Sequence, residues 1–140
     1  MSNPSNIEMT TFSRTEITRA RSGSFTGHTI DSPHGVPSGN ASFSYSQSRR
    51  EMDLTNIVSG APGGGARMMQ VAEEVARSAG ATSMVTATSR PGFFKKMGFD
   101  YTPAQHEINA RKYTANELSA QENNKGRDGG GGFSMHKSLL

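Results

Sequence analysis

Met52-Asp53-Leu54-Thr55-Asn56-Ile57-Val58-Ser59-Gly60-Ala61-Pro62-Gly63-Gly64-Gly65-Ala66-Arg67-Met68-Met69 is the stretch on which the fold turns. Met52, Leu54 and the pair Ile57-Val58 read as a strand that becomes fully buried toward its end. Ser59 to Gly65 then punctuates it, because this run of Gly and Pro continues neither a helix nor a strand. From Ala66 to Ala79 the residues Met68, Met69, Ala72, Val75, Ala76 and Ala79 keep the spacing of a helix with one buried face. Gln70, Glu73, Glu74, Arg77 and Ser78 fall largely on the other face, and Gly80 sits where a left-handed C-cap belongs.

Downstream, Ala81 to Ser89 reads as the next strand, with Met84 and Val85 at its centre. Ser89 is a candidate cap for a short helix with Pro91 in its first turn, Phe93, Phe94 and Met97 as its apolar face, and Gly98 as its stop. Phe99 to Thr102 is a short strand ended by Pro103. Two polar helices follow, about Ala104 to Lys112 and from Thr114, where Thr114-Ala115-Asn116-Glu117 has the form of a capping box. Asn123 to Gly132 reads as loop and Phe133 to Leu140 as a terminal strand. The order from Met52 is that of an α/β unit whose first two strands are parallel, with a crossover helix between them.

Upstream the text is weaker. Thr10 to Arg19 is Thr-rich and poorly alternating, while Ala41 to Ser48 alternates Phe43 and Tyr45 with serines. Turn residues fill the space between, so residues 1–50 read as a mobile leader with one or two edge strands. Leu, Ile, Val and Phe make up about 15 % of the chain, under the roughly 20 % that marks disorder when net charge is also high. The charge is only +3 over 140 residues, which fits one domain with a modest core concentrated after Leu54. Disorder is expected at about residues 1–10, 20–40 and 123–132.

Several function classes drop out. No run approaches the 18 or so apolar residues of a membrane span, and Met1 to Thr11 lacks the pattern of a secretory leader. The expected compartment is cytoplasmic. There is no cysteine, hence no disulfide, thiolate nucleophile or cysteine zinc site. Basic residues are scattered among acids as pairs such as Arg49-Arg50 and Lys95-Lys96, not as a nucleic-acid stripe. His28, Asp31 and His34 lie in a polar Gly/Pro-rich stretch that does not read as a metal site.

The Gly-rich turn reads either as a flexible connection or as a loop that carries chemistry, and the flanking strand and amphipathic helix favour the second. It presents unpaired backbone N–H groups and the positive end of a helix dipole, which suit a phosphate. Gly63, Gly64 and Gly65 let the backbone approach with no Cβ in the way, and Arg67 adds charge. No Gly-Lys-Ser/Thr follows, so this is not a Walker loop, and the spacing fails the dinucleotide fingerprint.

Gly63-Gly64-Gly65-Ala66-Arg67-Met68-Met69, Gly80-Ala81, Phe93-Phe94-Lys95-Lys96-Met97-Gly98-Phe99 and Phe133-Ser134-Met135-His136-Lys137-Ser138-Leu139 together, in this order, resemble the GNAT superfamily of acetyl-coenzyme-A-dependent N-acyltransferases. The resemblance covers about residues 52–140. It implies an α/β (α+β) fold, a mixed twisted sheet with the Gly-rich loop between a central strand and a long helix. In that family a Gln/Arg-x-x-Gly-x-Gly/Ala loop holds the pyrophosphate of coenzyme A. Here the cofactor contacts it implies are Gly60, Gly63, Gly64, Gly65, Ala66 and Arg67 in the loop and helix start. Ile57 and Val58 would offer backbone groups to the pantetheine arm and the thioester, with Ser89 and Phe94 as further contacts. Acetyl-coenzyme A is the implied cosubstrate, and direct transfer to an amine in a ternary complex the implied reaction. The acceptor, a small molecule or a protein, is not encoded in these motifs.

Three departures stand out. The Gln/Arg that opens the loop motif is Gly60. The tyrosine that often protonates the leaving thiolate is Phe94, which has no proton to give, and Tyr101 on the next strand is the substitute candidate. The two N-terminal helices that floor the family's acceptor site have no counterpart in residues 1–50, so the acceptor site is reduced, or a second subunit completes it as in a homodimer, or the chain is a degenerate member. The layout expected is a single domain over 1–140. It has an atypical polar part over 1–50 and an acyl-coenzyme-A-binding part over 51–140, which holds a 103–132 insert. Amine acetylation needs a base for the amine proton, for which Glu51 and Asp53 are the candidates, and a donor for the thioester oxygen, for which a backbone N–H near Val58 is placed. Two other readings compete: a non-catalytic acyl-coenzyme-A-binding module, and an interaction protein working through its polar leader and insert.

Overall fold

The computed structural model describes residues 3–8, 13–31, 39–59, 64–123 and 132–140, in eight strands and four helices. They form two compact units, Met1–Met84 with Leu139–Leu140, and Val85–Ser138.

In the first unit five strands run as an antiparallel meander: β1 (Asn3–Glu8), β2 (Ser13–Arg19), β3 (Phe25–Asp31), β4 (Gly39–Ser46) and β5 (Glu51–Ser59). Residues 1–50 therefore supply four strands, not a leader with one or two edges, and β1 and β3 lie within two of the spans expected to be disordered. The physical reason is a core face whose residues look unremarkable one at a time. Opposite one another on it stand Phe25, Tyr45 and Met52, then Ile17, Gly27, Phe43 and Leu54, then Thr15, Thr29 and Ala41. Every one of these except Gly27 is buried. Gly27 leaves a gap that the Phe43 ring fills. A Cβ there would lie 2.2 Å from Phe43 Cε1 and 2.9 Å from Ile17 Cγ2. Phe25 stacks on Tyr45 with ring centroids 5.0 Å apart.

The helix α1 (Gly64–Ala79) closes this face, packing on β3, β4 and β5. Met68, Met69, Ala72, Val75 and Ala76 are buried as the spacing predicts, joined by Val71. Each larger buried apolar side chain is worth about 1.5–3 kcal/mol, and flexible Met fills irregular gaps well. That is how a chain with few Leu and Ile builds a core. Gly80, at φ +87, ends the helix in the left-handed region as expected.

β6 (Ser83–Thr88) leads into the second unit, which holds α2 (Pro91–Lys96), β7 (Asp100–Tyr101), α3 (Pro103–Lys112), α4 (Ala115–Glu122) and β8 (Phe133–Ser138). β8 lies between β6 and β7 and pairs antiparallel with β7. β7 is only two residues long, and the Gln105 side chain continues its role: Oε1 accepts from the Ser134 N–H at 3.0 Å. The Thr114 capping box of α4 forms as predicted. The cap of α2 does not. Arg90, not Ser89, holds that position without a side-chain bond, and its N–H donates to Thr88 Oγ1. Among the described residues no helix is long and apolar enough to cross a membrane.

Candidate functional site

Strand β5 carries a β-bulge. Leu54 pairs with Phe43 and Asn56 with Ser42, which leaves Thr55 as an extra residue. An inserted residue reverses the two-residue alternation and leaves part of the ladder unpaired. Before the bulge Met52 and Leu54 face the core, with Glu51 and Asp53 on the other face. After it Ile57 faces inward, half-buried, and Val58 turns out, 44 % exposed. The run Ile57-Val58 is therefore not the fully buried strand end that the sequence suggests.

Asp53 is exposed, and its carboxylate has no ion-pair or hydrogen-bond partner among the described residues. Glu51, half-buried, lies 3.7 Å from Arg49. Both carboxylates stand on the face of β5 opposite α1.

α1 begins at Gly64, two residues earlier than its apolar pattern, so Gly64 and Gly65 belong to its first turn. The first four N–H groups of a helix have no intrahelical acceptor. No acid occupies this turn, Ala66 and Arg67 are exposed and Gly65 is half-buried. The arrangement fits an anion and would oppose a cation. Gly60 and Gly63, the other loop glycines singled out, lie outside the described residues, as does His34.

The remaining candidates lie in the second unit or at its start. Ser89 is half-buried between β6 and α2. Phe94 is buried, with its ring edge-on to those of Phe93 and Phe99 at 5.2 Å each. Tyr101 is buried and donates its hydroxyl to Glu122 Oε2 at 2.6 Å. Burial and that bond, with the Glu122 charge beside it, hold its hydroxyl well above the usual tyrosine range, which makes it a poor proton donor. Lys95 Nζ donates to the same oxygen at 3.1 Å. A Cβ on Gly92 would lie 1.7 Å from the Glu122 carbonyl oxygen, so α2 and the end of α4 touch backbone to backbone. Nearby, burial works to raise the Asp100 carboxyl, but the Tyr101 N–H and His106 outweigh it and pull it below the usual range.

Sequence reading missed two features. Glu122 meets its partners only through the fold, 21 and 27 residues away, and nothing local marks it. The polar face of the β2–β5 sheet, which carries Glu16 and His28 as well as Asp53, was legible in β4 alone, where serines alternate with Phe43 and Tyr45.

No protein-family model matches the chain, and no curated protein matches it. Solved structures do. Nourseothricin acetyltransferase is similar at 20 % identity and TM-score 0.54, over 89 % of this chain and 72 % of its own. Tetrahymena GCN5 is similar at 16 % identity and TM-score 0.57, over 86 % of this chain and 71 % of its own. A Bacillus subtilis acetyltransferase in complex with CoA is similar at 16 % identity and TM-score 0.59, over 82 % of this chain and 78 % of its own. The strands and helix of the first unit and the short strands and helices of the second are thus those of a known architecture, and the chain has the fold of the GNAT N-acetyltransferases.

Proposed function

We propose that the protein is an acetyl-coenzyme-A-dependent N-acetyltransferase that moves an acetyl group directly to an amine. The observation that carries this reading is the β5–α1 junction. An acid-free helix start with two glycines in its first turn follows a bulged strand, within a fold whose solved examples include CoA complexes. The first-turn N–H groups and Arg67 suit the pyrophosphate of coenzyme A, with Gly60 and Gly63 proposed as further contacts. Ile57 and Val58 would meet the pantetheine arm, and Ser89 and Phe94 the end nearest the thiol.

Acetyl-coenzyme A supplies the activated acyl group. The chain's own residues do the rest. A backbone N–H near Val58 donates to the thioester oxygen as charge develops on it. Asp53, with Glu51 as the second candidate, takes the proton that the amine must lose, directly or through water. The C–N bond forms as the C–S bond breaks, and the thiolate that leaves takes up a proton. Phe94 has none to give, and the Tyr101 hydroxyl is engaged with Glu122, so solvent is the proposed source.

The same two residues favour a second reading, an acyl-coenzyme-A-binding module without turnover. Thiol release from acetyl-coenzyme A, followed with a thiol-reactive dye across a panel of amines, separates the two. Acceptor-dependent release that collapses in Asp53→Asn supports the enzyme. Release no faster than that without acceptor, in a protein that binds the thioester, supports the module.

A further inference from the structure

One face of the β3–β5 sheet is filled by α1, so an acceptor that approaches β5 over the sheet must come across the other. Cross-strand register lays that face out in rows. Glu16, His28, Ser42 and Asn56 stand side by side on β2, β3, β4 and β5, and Asp53 belongs to the next row on β5. Glu16, Asp53 and Asn56 are exposed, and His28 and Ser42 half-buried. The chain is +3 overall, yet the described side chains of this face carry Glu16, Glu51 and Asp53 against Arg14. Glu51 is turned to Arg49, whereas Glu16 and Asp53 have no partner among the described residues.

Glu16 and Asp53 lie three strands and one row apart, roughly 16 Å between Cα atoms at ordinary sheet spacing. One small amine cannot meet both. We propose that this face, open among the described residues, is the acceptor platform and that it selects an extended oligoamine. Its reacting nitrogen lies at Asp53, and a distal ammonium lies against Glu16 with His28 beside it. The proposal rests on the acetyl-transfer reading above. It adds the class of acceptor and a residue, Glu16, that selects it by length.

The test is a series of amines, diaminopropane, spermidine and spermine, assayed for thiol release with the full chain. Acetyl-coenzyme A binding is measured separately by calorimetry. The KM for spermine is expected to lie about five-fold below that for diaminopropane, the scale of one added exposed ion pair. Glu16→Gln brings the ratio back toward one. Glu107→Gln removes an equal charge from exposed α3 and keeps the ratio. Spermine added without acetyl-coenzyme A shifts the amide resonances of Glu16, His28 and Asp53. Equal KM values along the series, or an unchanged ratio in Glu16→Gln, overturns the length selection while calorimetric binding leaves the acetyl-transfer reading standing. Absence of acetyl-coenzyme A binding overturns both.

Discussion

Tyr101 donates to Glu122 Oε2 across 2.6 Å, and Lys95 reaches the same oxygen at 3.1 Å, so a single carboxylate ties β7, α2 and α4 together. Tyr101→Phe removes the donor and leaves the carboxylate with Lys95. The expected loss of stability is about 1.5–3 kcal/mol, the scale of a hydrogen bond to a charged group, read as a lower urea midpoint with unchanged slope.

The same bond sets a pH dependence. The folded-state pKa of Tyr101 is raised above its ordinary value of 10.0, chiefly by burial and then by Glu122. The folded chain therefore holds this proton where the unfolded chain has lost it. The contribution is fully present below pH 10.0 and is lost as pH rises toward the folded-state value. Urea midpoints measured on either side of pH 10 should fall on the alkaline side, and Tyr101→Phe should flatten that decline. An identical slope in both proteins would show that another group is responsible.

Gly92→Ala drives a Cβ into the Glu122 carbonyl, 1.7 Å away. Backbone cannot rotate aside as a side chain can, so α2 and α4 must part. A loss of about 2 kcal/mol or more is expected, with amide shift changes centred on residues 91–96 and 115–122. Full stability in this variant would mean that the two helices do not approach so closely.

Ala66→Asp separates binding from folding. Ala66 is exposed in the first turn of α1, where an acid favours the helix dipole by about 0.3–1 kcal/mol. The same charge repels a pyrophosphate. The variant should melt no lower than the parent while its affinity for acetyl-coenzyme A falls at least several-fold. Unchanged affinity would place the phosphates elsewhere.

Asp53→Asn tests the base. Loss of a positioned general base costs about 10²–10⁴-fold in rate, so kcat should drop on that scale while calorimetric affinity for acetyl-coenzyme A holds. Glu51→Gln, whose carboxylate is turned to Arg49, should cost less. If Glu51→Gln is the more damaging of the two, the roles are exchanged.

How far the sequence carried this account depends on where the signal is stored. α1 was legible because its stripe and its stop at Gly80 are local, and α4 because Thr114 and Glu117 form a capping box within one turn. β2 was weak and β3 did not read as a strand, because half of their four buried residues are Thr15 and Thr29, and between them lies the Gly27 gap filled by Phe43. Such residues declare a core only once the strands are paired. The bulge at Thr55 was invisible for the same reason. It is a mismatch between β4 and β5 and not a property of either, and it turned Val58 from the expected core to the open face. In the candidate site, Asp53 and the helix start were legible as residue types, but the face that Asp53 shares with Glu16 exists only in the register.

Isothermal titration of the full chain with acetyl-coenzyme A tests the central claim most directly. Saturable binding at one site per chain, weakened by Ala66→Asp, is the result predicted. No heat of binding up to millimolar ligand would contradict the account.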